Sequence, residues 1–182
     1  MTFLQLKVNL KEIKPKIWRR FVVSDDISFD KLHSIIQNVM GWENYHLYSF
    51  EIHGERIELP DEEGYSEEES KNSENIKIKE YLNAEKLKFI YLYDFGDSWE
   101  HEIVVEKLLS ILPDNVKYVP FCLEGNNACP PEDCGGVFGY EQCIQVLNDK
   151  KKSNGDSKEL LEWLGNWKPD DFNITEVNKK FK

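Results

Sequence analysis

The stretch YDFGDSWEHEI, Tyr93 to Ile103, sets Asp94, Asp97, Glu100, His101 and Glu102 around Trp99. Carboxylate oxygens and an imidazole nitrogen are donors for Mn²⁺, Zn²⁺ or Fe²⁺, a set that suits these ions better than Ca²⁺, and they also move protons in acid–base chemistry. If the segment after the turn is a strand, Trp99, His101, Ile103 and Val105 share one face, and Glu100, Glu102, Val104 and Glu106 share the other. His101 then lies on the more apolar face, with Asp94 and Asp97 at the turn that ends it. Two readings stand. In one, the two Asp side chains bond turn amides and hold a half-buried His101. In the other, Asp94, Asp97 and His101 converge on a divalent cation or form an acid/base group tuned by its neighbours. The letters DFG also hold magnesium in protein kinases, but no glycine-rich nucleotide loop, VAIK-like strand or HRD-like loop accompanies them.

Two further segments carry chemistry. In ACPPEDCGG, residues 128–136, two prolines impose an extended entry and Gly135–Gly136 permit a sharp bend before a helix. Glu132 and Asp133 either meet amides at that helix N-terminus or join Asp94, Asp97 and His101 in one acidic pocket. In KPKIWRR, residues 14–20, four basic residues surround Trp18. Lys14, Lys16, Arg19 and Arg20 could contact phosphates while Trp18 stacks on a base. On a strand, however, Arg19 points with Ile17 and Phe21 and is predicted to pair with a carboxylate at the core edge. The aromatics around Trp42, His46, Tyr48 and Trp99 either fill the core or line a groove. No Walker loop, G-x-S-x-G, Ser-x-x-Lys or H-E-x-x-H pattern occurs.

These residues need elements to hold them. TFLQLKVNL alternates, with Leu4, Leu6, Val8 and Leu10 on one side, and predicts a half-buried strand; IWRRFVV, 17–23, predicts its partner. Ser28 as N-cap, the three-and-four spacing of Phe29, Leu32, Ile35, Ile36, Val39 and Met40, and Gly41 as stop predict a helix over 29–40. HLYSFEIH and RIEL form strands about Gly54. KFIYLYD, 88–94, and SWEHEIVVEK, 98–107, form a hairpin in which Gly96 takes a positive φ. NIKIKEYLN is a short helix, Pro113 to Pro131 an irregular stretch, and 137–148 and 157–166 are helices. Strands and helices mix without βαβ regularity, so the expected class is α+β, a single domain over 1–182 with a mostly antiparallel sheet packed with helices.

A chain of 182 residues with 40% hydrophobic and 13% aromatic residues can bury a sizeable core. Of the net charge of −11, residues 61–74 supply seven acids against one Lys, which reads as an acidic mobile insertion at about 60–75. The acidity argues against strong phosphate-backbone binding. No apolar run is long enough to span a bilayer, and the alternating N-terminus reads as a strand, not a signal peptide, so the expected compartment is the cytoplasm and no membrane partner is expected. Cys122, Cys129, Cys134 and Cys143 are separated by six, four and eight residues, which supplies only half of a zinc knuckle. They read as reduced, buried thiols.

Taken in order, IKPKIWRR, LHSIIQNVMGWENYHLYSFEI, YLYDFGDSWEHEI, ACPPEDCGGVFGYEQCIQVL and a closing W-x-P-x-x-F resemble the Ri-plasmid open-reading-frame-three-like family over nearly the whole chain. The resemblance implies a compact prokaryotic α+β domain, of a family associated with plasmids or mobile elements, with no activity established. Its blocks fall here on Trp18, Arg19 and Arg20; on His33, Gly41, Trp42 and His46; on Asp94, Gly96, Asp97, Trp99 and His101; and on Pro130, Pro131, Glu132, Asp133, Gly135 and Gly136. The expectation is a binding or interaction module without catalysis, with Trp18, Arg19, Arg20, Trp42, His46 and Trp99 as binding residues and protein or nucleic acid as partner. The alternatives are a metal-dependent hydrolase or nuclease using Asp94, Asp97, His101, Glu132 and Asp133, and a nucleic-acid-binding protein. No cofactor is expected beyond a divalent metal at Asp94, Asp97 and His101.

Overall fold

The computed structural model describes residues 2–60, 70–149 and 155–182. Strands β1 (Phe3–Leu10) and β2 (Trp18–Ser24) lead into helix α1 (Phe29–Met40), followed by β3 (Tyr48–Ile52), β4 (Glu55–Glu58) and the short β5 (Lys71–Asn72). A 3₁₀ turn at Ile78–Glu80 precedes β6 (Lys88–Tyr93), β7 (Trp99–Leu109) and β8 (Phe121–Asn126). Helices α2 (Gly136–Asn148), α3 (Asp156–Leu164) and α4 (Ile174–Lys179) close the chain. All eight strands join one sheet in the order β5-β4-β3-β6-β7-β1-β2-β8, antiparallel except at β4–β5. The class is α+β, as the element pattern predicts.

Alternation builds the two faces. Leu4, Leu6, Val8 and Leu10 of β1, with Trp99, Ile103 and Val105 of β7, point inward and are buried. Helix α1 contributes Phe29, Leu32, Ile35, Ile36, Val39 and Met40 to the same core. Ser28 caps that helix by accepting from Lys31 N at 3.1 Å, an interaction worth about 1 kcal/mol. Gly41, at φ 106°, ends it in the left-handed region that glycine enters without steric cost. The opposite face carries a charged cross-strand ladder. Arg20 binds Glu106 through two nitrogens and also pairs with Glu124, Lys11 pairs with Glu100 and Lys88 with Glu102.

Three segments depart from the sequence reading. Most of the acidic insertion, residues 61–69, lies outside the described residues, but Lys71–Asn72 adds a strand to the sheet edge and Ser73 is fully buried against Tyr48. Within the stretch read as irregular, Phe121–Asn126 is the edge strand β8. Its open side is closed by Asn178, whose amide accepts from Cys122 N at 2.8 Å and donates to Cys122 O at 2.9 Å. A side chain thus takes the place of a ninth strand and blunts the edge. At the β6–β7 turn the positive φ values fall on Asp94 (57°) and Ser98 (55°), not on Gly96. A Cβ at Gly96 would stand 3.2 Å from Asp94 Oδ1, a tight contact that the Asp94 side chain would have to relieve by a few tenths of an ångström.

Candidate metal centre

The β6–β7 turn and the loop before α2 meet. Asp94 Oδ1 accepts from Gly96 N at 2.9 Å and Asp97 N at 3.3 Å, an Asx turn that leaves Oδ2 free to face His46. Asp97 Oδ2 instead accepts from Gly135 N at 3.1 Å. Gly136, at φ 66°, packs so tightly on Asp97 that a Cβ would lie 2.8 Å from its carbonyl oxygen. Gly139 packs against the loop's other side, where a Cβ would fall 1.7 Å from Cys134 O. Asp97 therefore cross-links the two segments, and the glycines let them touch.

The contact brings Glu132 and Asp133 to Asp94, and the imidazole they meet is His46. Its Nε2 lies 3.0 Å from Asp133 Oδ1, 3.7 Å from Asp94 Oδ2 and 3.9 Å from Glu132 Oε2. None of these contacts is a hydrogen bond, and His46 Nε2 and Glu132 Oε2 are both buried polar atoms without a hydrogen-bond partner. Among the described residues, His46, Asp94 and Asp133 form the group of donors close enough to share a cation. Ligands about 2.1 Å from a tetrahedral ion stand about 3.4 Å from one another, and the 3.0 and 3.7 Å separations bracket that spacing.

Glu132 is held from beneath. Its Oε1 accepts from Glu43 N at 2.6 Å and from Tyr93 Oη–H at 3.0 Å, while Tyr93 Oη accepts from Tyr45 N at 3.0 Å. Burial raises the Glu132 carboxyl above the ordinary range; these two donors and His46 oppose the rise, and the Asp133 carboxylate adds to it. The loop that carries His46 is itself anchored by a closed ring of polar contacts. Gln37 Nε2 donates to Tyr91 Oη, Tyr91 donates to His33 Nδ1, His33 Nε2–H donates to Asn44 Oδ1, and Asn44 N donates to Gln37 Oε1. Burial pushes His33 down to about 4, so this ring contains a neutral imidazole.

His101 is elsewhere. It is fully buried, its Nδ1–H faces Tyr91 O at 3.3 Å, and its Nε2 receives Trp42 Nε1–H at 3.4 Å. Among the described residues no carboxylate is its partner, and burial pushes its pKa down to about 4. The strand alternation places it on the inner face, against Trp42. Of the predicted cluster, Asp94, Glu132 and Asp133 come together, Asp97 positions the loop, and His101 stays apart. His46 sits in a loop with no periodicity to assign its direction. Only its place in the Trp42–Tyr48 aromatic block singled it out.

The predicted binding residues divide likewise. Trp42 and Trp99 are core, with ring centroids 5.6 Å apart. Arg19 is buried but finds no carboxylate among the described residues, contrary to expectation. Its five N–H groups donate to the carbonyls of Val39, Trp18, Asn126, Met40 and Asn127, and Phe172 stacks 4.1 Å over the guanidinium. It thereby satisfies carbonyls left over at the end of α1 and the end of β8. Arg20 is committed to Glu106 and Glu124. Trp18 lies on the open face between Lys7, at 4.5 Å, and Arg20, at 5.3 Å. All four cysteines are free thiols, three of them buried. Among the described residues no helix is long and apolar enough to cross a membrane.

A mostly antiparallel α+β domain with an acidic, histidine-bearing rim is thus the class that fold and site define. The chain belongs to the plasmid pRiA4b ORF-3-like family, whose model matches residues 2–176. It is 36% identical to the uncharacterized protein y4hQ of Sinorhizobium fredii (strain NBRC 101917 / NGR234) over 97% of this chain and 89% of that protein. It also resembles the crystal structure of MM3350, a protein of unknown function from Methanosarcina mazei Go1, at 34% identity and a TM-score of 0.82, covering 97% of this chain and 96% of that one.

Proposed function

We propose that this protein is a divalent-metal-binding module, with His46 Nε2, Asp94 Oδ2 and Asp133 Oδ1 as ligands and Glu132 beside them, and that the cation is the group through which it engages an oxygen-bearing ligand. One observation carries this reading. Three carboxylates surround one imidazole nitrogen within 4 Å, and two of the atoms facing that point are buried without hydrogen bonds. Like charges at this spacing repel unless a cation or proton joins them. One imidazole with carboxylates suits Mn²⁺, Zn²⁺ or Fe²⁺. Asp133 is 68% exposed at the outer side, so an ion bound there keeps positions open to water or ligand. Titration of chelator-treated protein with Mn²⁺ and Zn²⁺ tests this. One site per chain is expected, lost in His46→Ala and in Asp94→Asn. Wild-type and His46→Ala protein taking up the metals alike would refute it.

A second reading is metal-assisted hydrolysis, favoured by Glu132, whose Oε2 is buried without a hydrogen-bond partner 3.9 Å from His46 Nε2, where a carboxyl could exchange a proton with water held on the ion. Glu132→Gln then abolishes hydrolysis while sparing metal uptake.

A further inference from the structure

Between the end of α1 and His46 the chain forms neither helix nor strand, yet its amides are held one by one. The Gln37 carbonyl accepts from Gly41 N at 2.9 Å and from Trp42 N at 3.0 Å. Each of the next three amides donates to a side-chain oxygen: Glu43 N to Glu132 Oε1 at 2.6 Å, Asn44 N to Gln37 Oε1 at 3.0 Å, and Tyr45 N to Tyr93 Oη at 3.0 Å. Glu132 and Tyr93 belong to the acidic rim, and Gln37 belongs to α1. The loop is therefore the piece that rim and helix share.

Gln37 and His33 lie one turn apart on α1 and are 3% and 2% exposed. Apolar side chains there would fill the same space without desolvating an amide and an imidazole, so packing alone does not call for this pair. What they supply is direction. Asn44 is exposed, yet its N–H is bound by Gln37 and its side-chain oxygen by His33 Nε2–H. Its φ of 60° is in the left-handed region, which asparagine tolerates and which these two contacts fix. Tyr91 Oη closes the ring behind them and ties both side chains to β6. His46 follows two residues later, which leaves little slack between the anchor and the imidazole.

We infer that Gln37 and His33 are positioning residues of the metal centre, which through Asn44 preset His46 Nε2 toward Asp94 and Asp133. The inference rests on the proposed metal site for its consequence and on the hydrogen bonds alone for its mechanism. Neither side chain is a ligand. Both act as the outer partners of metal ligands do, whose loss costs about tenfold or more in affinity.

Two measurements on the full chain test it. Amide hydrogen exchange without metal reads the loop. Glu43, Asn44 and Tyr45 are protected in the wild type, and in Gln37→Met, which keeps an unbranched side chain of similar length, all three exchange at least about tenfold faster while β1 and β6 keep their protection. Calorimetric titration with Mn²⁺ reads the consequence. Gln37→Met binds about tenfold more weakly. Asn44→Gly, which takes the same φ freely and loses only the contact with His33, binds about threefold more weakly. This exposed position carries the test should Gln37→Met fail to fold. Val23→Ala, at the end of the sheet away from the β6–β7 turn, lowers the thermal midpoint and leaves Mn²⁺ affinity as in the wild type. A folded Gln37→Met protein with wild-type exchange in the loop, or either loop variant with wild-type Mn²⁺ affinity, overturns the inference. Should the wild type bind no Mn²⁺, the metal reading falls, and exchange decides whether α1 directs the loop: acceleration confined to residues 43–45 upholds it, and none overturns it.

Discussion

Two neutral imidazoles buried in the core make this fold sensitive to acid. His33 and His101 both titrate near 4 in the folded protein, against about 6.5 in an unfolded chain. The folded state therefore holds fewer protons than the unfolded state between those values. Their contribution is complete above about pH 6.5 and is lost as pH falls toward 4. At pH 5 the loss relative to pH 7 comes to about 2 kcal/mol for each histidine and about 4 for the pair. The chemistry agrees with the sign. A proton on His101 Nε2 would face the Trp42 indole N–H, donor against donor, and a charged His33 would face the Tyr91 hydroxyl with a second donor in place of its acceptor. Glu132 works the other way, since its raised carboxyl takes up a proton more readily when folded, so the net loss falls somewhat below 4. Against a total stability of roughly 5–15 kcal/mol this is a large fraction. Guanidinium unfolding at pH 7 and pH 5, with equal slopes, measures it. His101→Gln should remove about half of the pH dependence. A midpoint that does not move between these pH values, or a variant that keeps the whole shift, would refute the reasoning.

Other outcomes follow from the same contacts. Gly139→Ala drives a Cβ into Cys134 O and should cost about 3 kcal/mol, read as a fall in the thermal midpoint. Arg19→Met strips donors from five carbonyls and should cost about 4 kcal/mol, with Arg19→Lys recovering little because three donors cannot serve five acceptors. Asp97→Ala should weaken metal binding about tenfold by releasing the Gly135 amide, while Asp97→Asn restores most of it; a ligand variant is not rescued in this way.

Local signals account for what the sequence discloses. Helix α1 carries cap, period and stop within one window, and its bounds match. Hairpin β6–β7 follows from two alternating runs too close together to separate. The edge strand β8 is hidden because it is six residues long, lies between Pro120 and Pro130, and buries chiefly Cys122. The candidate site is half legible. Asp94 and Asp97 announce a turn, but that Asp97 reaches Gly135, 38 residues on, is a tertiary fact with no local mark. The alternation put His101 on the inner face, where burial removes it from the rim. Arg19 was set inward by the same alternation, yet its partners are carbonyls at two element ends, a debt visible only once the elements are packed.

The most direct measurement is a crystal structure of the protein soaked in Mn²⁺ or Zn²⁺, with anomalous scattering recorded at the metal edge. A single peak about 2.1 Å from His46 Nε2, Asp94 Oδ2 and Asp133 Oδ1 is the predicted result. A peak among the cysteines, or none at this rim with metal in excess, would contradict it.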